Sequence, residues 1–125
     1  MTNTPPLVSV VDDDESVRES LPDLLRAFGF TTQAFSSAEE FLASADIGQT
    51  RCLILDIAMP GMDGLELSRT LRGNDSTSHV PIIAVSGNAS DRAREAGCNV
   101  VLEKPCAPDA LLHVIEDMLK EPGQE

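Results

Sequence analysis

Basic residues, cysteines and long apolar runs are all scarce in this sequence of 125 residues. Nine Lys and Arg residues stand against 21 Asp and Glu residues, which gives a formal net charge of −12 at pH 7. The phosphate backbone of nucleic acids and anionic membranes repel such an acidic surface, so we expect neither as a direct ligand. The charge balance instead favours a cation or a basic protein surface as a partner.

The cysteines and the hydropathy pattern indicate the compartment. The three cysteines, Cys52, Cys98 and Cys106, are an odd number and form no C-x-x-C pair, which argues against a disulfide framework and a zinc site. No apolar stretch approaches about 18 residues. No basic segment followed by an apolar one opens the chain, so neither a membrane span nor a secretory signal is predicted. Together these features predict a cytoplasmic protein.

Apolar periodicity predicts alternating strands and helices within one domain. We expect a disordered lead at 1–6, a folded domain at 7–120 and a frayed tail at 121–125. Short apolar runs predict five strands, and apolar stripes predict five helices, of which the fourth is short and has only alanines as apolar residues. The strands are 7–11, 31–35, 52–55, 81–85 and 100–102, and the helices are 15–28, 38–45, one opened by a capping box at 63–66, 90–96 and one from 108 onward. Phe28 belongs to the apolar stripe of the first helix, which Gly29 closes, and Ser37 caps the second. Five such βα units predict an α/β fold with one doubly wound, five-stranded parallel sheet and helices on both faces.

Charged residues follow three of the predicted strands at the point where each strand ends. Asp12 and Asp13 follow the first strand, Asp56 follows the third and Lys104 follows the fifth. Runs of consecutive apolar residues are typical of strands in parallel sheets that are covered on both faces. The ligand crevice of such a sheet lies at the carboxyl ends of its strands. We therefore expect these four side chains to converge, although they lie far apart in the sequence.

The residue types at these strand ends predict chemistry on a phosphoryl group. Three carboxylates held close together repel each other unless a hard divalent cation such as Mg²⁺ binds between them. Asp56 is then placed to act as a nucleophile that forms an aspartyl phosphate. Lys104 and Ser86, the latter at the end of the fourth strand, are placed to contact two other phosphoryl oxygens.

Four motifs in this order resemble the receiver domain of two-component response regulators. They are the segments 10–15 (Val-Val-Asp-Asp-Asp-Glu), 55–64 (Leu-Asp-Ile-Ala-Met-Pro-Gly-Met-Asp-Gly), 85–87 (Val-Ser-Gly) and 103–105 (Glu-Lys-Pro). The resemblance covers residues 7 to about 120 and is greatest to FixJ-type receivers. It implies a flavodoxin-like fold, from which this sequence departs by a shortened fourth helix.

The resemblance also implies roles for individual residues. Asp56 would accept a phosphoryl group from a phosphohistidine on a sensor histidine kinase or a phosphotransfer protein. Asp12, Asp13 and Asp56, with the backbone carbonyl of Ala58, would hold Mg²⁺. Ser86 would be the switch hydroxyl, and Lys104 would contact the phosphate. The chain would catalyse only its own phosphorylation and dephosphorylation and would not act on external substrates. Its phosphorylation would change binding to a downstream partner or to an output domain of a longer chain.

Three departures from the family pattern concern how a signal leaves the site. Val101 stands where receivers usually have Phe or Tyr, and the chain contains no Tyr or Trp, so no aromatic rotamer switch is expected. The segment from Ser86 to Gly97 is shorter than the family pattern by about four residues, roughly one helical turn. Cys106 also replaces the Phe that commonly follows Lys-Pro. We therefore predict that coupling runs through backbone rearrangement of residues 86–97.

Two other functions compete with a phosphorylation switch. A haloacid-dehalogenase-like phosphatase also uses an Asp nucleophile with Mg²⁺, but it needs a second Asp two residues later as a general acid. That position is Ala58, so efficient hydrolysis of external phosphoesters is not expected. An interaction module that works without phosphorylation remains open. Partner binding that depends on Asp56 would separate the switch from such a module.

Overall fold

The computed structural model describes residues 7–44, 49–57, 64–75, 77–86, 95, 97–103 and 108–120. The strands are β1 (Leu7–Val11), β2 (Thr31–Phe35), β3 (Thr50–Asp56), β4 (Ile82–Ser86) and β5 (Val100–Glu103). The described helices are α1 (Glu15–Ala27), α2 (Ala38–Leu42), α3 (Gly64–Arg72) and the C-terminal helix (Pro108–Lys120). The strands form one parallel sheet in the order β2-β1-β3-β4-β5. This topology confirms the predicted α/β fold.

The sheet is buried on both faces, as its apolar strands predicted. Leu53 and Leu55 of β3 belong to a core cluster with residues of α2 and α3. Ile54, between them, belongs to a second cluster with residues of α1 and the C-terminal helix. The strand order reverses between β1 and β3. Ligands of such sheets bind at the carboxyl ends of the strands at this point. Among the described helices, none has the length and hydrophobicity that crossing a membrane requires.

The end of α1 differs from the prediction, which placed Phe28 on the buried stripe of a helix that Gly29 closes. The helix ends at Ala27, and Phe28 is 55% exposed. Gly29 adopts a left-handed conformation with φ of +95°, and the backbone N–H of Phe30 returns to the Leu25 carbonyl at 3.1 Å. This reversal places Phe30, instead of Phe28, against the core. Gly29 therefore closes the helix as predicted, and Phe28 was assigned wrongly.

Helix α2 begins with the predicted Ser37 cap but ends earlier than predicted. The backbone N–H of Glu40 donates to Ser37 Oγ at 3.0 Å. The Glu40 carboxylate reaches past the cap and accepts from the backbone N–H of Ser36 at 2.7 Å. The predicted helix extended to residue 45, whereas α2 ends at Leu42. A tight turn, in which the Ser44 N–H donates to the Phe41 carbonyl at 3.0 Å, follows it.

The remaining boundary predictions fall partly outside the described residues. Strand β4 begins at Ile82, one residue later than predicted, because Pro81 has no N–H to donate to the neighbouring strand. The Pro81 carbonyl nevertheless accepts from the Leu53 N–H at 2.9 Å. Glu95 is the one residue of the predicted 90–96 helix that the structure describes, and it is helical. The predicted lead at 1–6 and tail at 121–125 lie outside the described residues.

Arg72 connects the end of α3 to the loops that lead into β4 and β5. Its guanidinium donates five hydrogen bonds to described residues: two to the Gly97 carbonyl and one each to the Ser78 carbonyl, the Val80 carbonyl and Asn99 Oδ1, at 2.7–2.9 Å. Burial lowers the pKa of Arg72, which reflects partial loss of water around the charge. Arg72 thus ties three segments of the chain together through main-chain acceptors.

Two of the three cysteines are buried free thiols. Cys52 lies in β3, and burial raises its pKa to about 12. Burial also raises the pKa of Cys98, whose thiol donates to Ser68 Oγ at 3.6 Å. The two residues belong to core clusters on opposite faces of the sheet, so they are not placed to form a disulfide with each other. Cys106 lies outside the described residues.

Candidate functional site

Three carboxylates meet at the carboxyl ends of two adjacent central strands. Asp12 and Asp13 directly follow β1, and Asp56 is the last residue of β3. The two strands pair in parallel with Val11 opposite Leu55, which brings their ends to the same edge of the sheet. One carboxylate oxygen from each of the three aspartates lies within 4.8 Å of the other two. The structure thus brings together three of the residues that the sequence predicted for the site.

The burial and chemistry of this carboxylate cluster fit a hard divalent cation. Asp12 is 5% exposed and Asp56 is 4% exposed, whereas Asp13 is exposed. Anionic groups that are buried together need compensating positive charge. Carboxylate oxygens are the ligands that Mg²⁺ prefers, and Mg²⁺ usually binds through a small number of carboxylates while keeping several waters. The exposed Asp13 places one side of the cluster at the protein surface.

Three hydrogen bonds, from β2, from the loop after β1 and from α1, fix Asp12. The Asp12 N–H donates to the Phe35 carbonyl at 3.1 Å, Asp12 Oδ1 accepts from the Asp14 N–H at 2.9 Å, and the Asp12 carbonyl accepts from Arg18 Nη1 at 3.0 Å. Asp14 has a different role from its two neighbours. Its carboxylate accepts from the Ser16 N–H at 2.9 Å and caps α1. The three consecutive aspartates therefore divide into two cluster residues and one helix cap.

Gly64, at the start of α3, lies directly against the end of β3. Its N–H donates to the Ile57 carbonyl at 3.1 Å. A Cβ atom at this position would lie 2.7 Å from the Asp56 carbonyl oxygen and 2.8 Å from Ile57 Cα. The first turn of α3 thus packs on the backbone of Asp56 at a distance that no side chain permits. The sequence pattern placed Gly64 only in a capping box and did not predict this close approach. A glycine at a predicted helix start, shortly after a strand-end aspartate, is the feature of the sequence that indicates it.

The other predicted site residues are described only in part. Ser86 is the last residue of β4 and pairs with Glu103 of β5, so its backbone lies at the same edge as Asp56. Lys104 directly follows Glu103 in the sequence and lies outside the described residues, as does Ala58. Val101, at the position where receivers usually have Phe or Tyr, is partly buried against the core cluster that includes α2 and α3.

The two histidines do not contribute to the carboxylate cluster. His79 is exposed and precedes the amino end of β4, at the edge of the sheet opposite the cluster. His113 is exposed on the C-terminal helix.

Comparisons with known proteins agree with this geometry. Residues 8–116 match the family model for the response regulator receiver domain. The response regulator protein TmoT of Ectopseudomonas mendocina is 37% identical over 131 residues, an alignment that covers 100% of this chain and 58% of TmoT. The transcriptional regulatory protein FixJ of Rhizobium meliloti is 36% identical over 113 residues, covering 87% of this chain and 54% of FixJ. This chain therefore spans little more than half the length of these curated relatives.

A solved structure is similar over its whole length. It is that of a putative response regulator from Chloroflexus aurantiacus J-10-fl, with a TM-score of 0.87 and 32% sequence identity. The match covers 94% of this chain and 100% of the other. The similarity thus extends over nearly the whole of this chain.

Proposed function

The chain belongs to the response regulator receiver domain family of two-component signalling, and we propose that Asp56 is the residue on which it accepts a phosphoryl group. The observation that carries this proposal is the approach of the Asp12, Asp13 and Asp56 carboxylates to within 4.8 Å of one another at the ends of β1 and β3. Asp56 ends the central strand of the sheet, which pairs with β1 as far as Leu55 and with β4 through Asp56 itself, opposite Val85.

The proposed reaction is a displacement at phosphorus. A carboxylate oxygen of Asp56 attacks the phosphorus atom of a phosphohistidine on a donor protein, and a P–O bond forms as the P–N bond breaks. The electron pair of the P–N bond returns to the imidazole nitrogen, which leaves as the neutral or protonated histidine. Positioning and charge compensation supply most of the rate enhancement in phosphoryl transfer. A nucleophile fixed at a strand end meets the first of these needs.

Asp12, Asp13 and Asp56 are the residues that would hold Mg²⁺ in this proposal. When bound, Mg²⁺ supplies positive charge that compensates the phosphoryl oxygens. The Ala58 carbonyl as a further ligand, Lys104 as a phosphate contact and Ser86 as the switch hydroxyl rest on the family resemblance. The topology supports these assignments by placing the ends of β3, β4 and β5 at one edge.

The proposed partners are a histidine-containing phosphodonor and a downstream protein surface or output domain. The phosphoryl group is accepted by Asp56 of the chain itself, and we propose no substrate other than the phosphodonor. The net charge of −12 suits partners with basic surfaces.

Intact-protein mass spectrometry after incubation with a small phosphodonor tests the proposal. We expect one phosphate adduct on the wild type in the presence of Mg²⁺, and none with Asp56→Asn or without Mg²⁺. Asp23→Asn changes an exposed aspartate on α1 and is the matched control that should still be labelled. An adduct that persists in Asp56→Asn would refute the assignment. A folded wild type that binds Mg²⁺ but accepts phosphate from neither a small donor nor a kinase would favour the phosphorylation-independent module.

A further inference from the structure

Arg18 of α1 contacts the backbone of Asp12 from the side of the helix. Its Nη1 donates to the Asp12 carbonyl at 3.0 Å, in a partly buried position. The Asp12 N–H and Oδ1 are held by Phe35 and Asp14. Arg18 is thus the side chain that completes the fixation of the Asp12 backbone, and its contact involves no atom of the Asp12 carboxylate.

We propose that Arg18 is a positioning residue that holds the loop between β1 and α1 so that the Asp12 carboxylate faces Asp56 before a cation binds. This inference rests on the proposed function, because it concerns cation binding at the carboxylate cluster. A loop that already has its bound conformation loses less conformational entropy when the cation binds. Arg18 would therefore strengthen cation binding although its own charge is positive.

Glu40 of α2 carries a charge opposite to that of Arg18 and interacts with it electrostatically. The Glu40 carboxylate accepts from the N–H and the hydroxyl of Ser36, and these two bonds, followed by the charge of Arg18, lower the pKa of Glu40. Ser36 in turn follows Phe35, whose carbonyl accepts from Asp12. Hydrogen bonds thus connect α2 and the end of β2 to the Asp12 backbone, and Arg18 interacts with this part of the fold through its hydrogen bond to Asp12 and through its charge.

The two effects of Arg18 on a cation have opposite signs, and this makes the inference testable. If Arg18 acts only through its charge, its removal should tighten Mg²⁺ binding, because repulsion is relieved. If it acts by positioning Asp12, its removal should weaken binding. Repulsion between partly exposed charges is screened over about 8 Å at physiological ionic strength. A hydrogen bond from a charged donor corresponds to a factor of about 10 to 150 in an equilibrium constant, and only the part of this that orders the Asp12 loop for the cation is lost from binding. We therefore expect weaker binding.

Calorimetric titration of the Mg²⁺-free chain with MgCl₂ is the primary measurement. We expect Arg18→Met to raise the dissociation constant about five- to tenfold and Arg18→Lys to raise it about twofold, since Lys keeps the charge and one donor but not the guanidinium geometry. Arg26→Met removes the same charge from the exposed far end of the same helix and should leave binding unchanged. Unchanged or tighter binding by Arg18→Met would overturn the inference.

Two further measurements separate positioning from a general loss of structure. Without Mg²⁺, hydrogen exchange of the Asp14 amide, which donates to Asp12 Oδ1, should accelerate in Arg18→Met while the amides of β3 exchange as in the wild type. Equal acceleration in β3 would indicate a structural role and refute positioning. In phosphorylation assays, the Mg²⁺ concentration for half-maximal rate should rise while the rate at saturating Mg²⁺ stays near the wild-type value.

The outcomes for the inference and for the proposed function are distinct. A wild type that binds no Mg²⁺ contradicts the proposed function, and the Asp14 exchange measurement then decides on the positioning of the loop. A wild type that binds Mg²⁺ together with an Arg18→Met protein that binds equally well contradicts only the inference. If Arg18→Met does not fold, Arg18→Lys takes its place, and wild-type affinity in that variant would overturn the proposal.

Discussion

Replacement of Arg72 by methionine should destabilise the fold more than any exposed substitution on α3. The side chain donates three partly buried hydrogen bonds, two to the Gly97 carbonyl and one to the Val80 carbonyl. Its bonds to the Ser78 carbonyl and Asn99 Oδ1 are exposed, where water replaces them at little cost. Methionine keeps much of the apolar stem but none of the donors, so the change isolates the hydrogen bonds.

The expected magnitude follows from the partly buried bonds. A hydrogen bond to a charged group contributes about 1.5–3 kcal/mol, and three bonds from one side chain are not additive. We expect the free energy of unfolding to fall by about 3 kcal/mol. For a chain of 125 residues, the entropy of unfolding is about 0.26 kcal/mol/K, so Tm should fall by about 11 °C.

Urea and thermal unfolding followed by far-UV circular dichroism measure this effect, since the chain has no Trp or Tyr for fluorescence. Arg69→Met, on the exposed face of the same helix, is the control and should change the free energy of unfolding by less than about 0.5 kcal/mol. Arg72→Lys keeps the charge without the planar fork and should lose about 2 kcal/mol. Wild-type stability in Arg72→Lys, or equal stability of Arg72→Met and Arg69→Met, would refute the argument from hydrogen-bond geometry.

Three further predictions concern packing, pH and thiol reactivity. Gly64→Ala should lower the free energy of unfolding by about 2 kcal/mol in urea titrations, because the new Cβ meets the Asp56 backbone; Gly73→Ala, where the nearest atom is 3.5 Å away, should be nearly neutral, and equal stability of the two variants would contradict the close approach. The Ser36 hydrogen bonds lower the folded-state pKa of Glu40 from 4.5. Ionised Glu40 therefore contributes fully to the stability of the fold above pH 4.5, and this contribution is lost as the pH falls through the lowered pKa. The urea midpoint of the wild type should therefore fall in that acid range more than that of Glu40→Gln, and parallel curves would count against the Ser36 contacts. Cys52, with a pKa of about 12, should react with iodoacetamide at pH 8 only when urea unfolds the chain, as measured by peptide mass spectrometry; fast labelling without urea would contradict its burial.

The strand-end aspartates could be predicted from the sequence because their position depends on simple rules. Apolar runs before Asp12 and Asp56 indicated buried parallel strands, and parallel topology brings carboxyl ends to one edge. The division of labour within the run of three aspartates required the structure. Only the backbone conformation shows that Asp14 caps α1 while its two neighbours join the carboxylate cluster.

Contacts between distant segments could not be predicted in the same way. The apolar stripe of α1 continues at the correct spacing to Phe28. Because the chain turns at Gly29 in a left-handed conformation, Phe30 instead of Phe28 packs against the core. The acceptors of Arg72 lie up to 27 residues away in loops, and no periodic pattern marks them. Arg18 likewise bonds to a carbonyl, a group that every residue has and that the sequence therefore does not distinguish.

The hydrogen bonds of Arg72 also determine which positions should covary with it among related sequences. Four of its five hydrogen bonds to described residues end on main-chain carbonyls, so positions 78 and 80 are free to change side chain without losing them. Gly97 differs, because it has φ of +101° and an added Cβ would lie 2.6 Å from Arg72 Cγ. Substitutions at position 72 should therefore correlate with substitutions at Gly97 and Asn99. The two main-chain acceptors at positions 78 and 80 should show no such correlation.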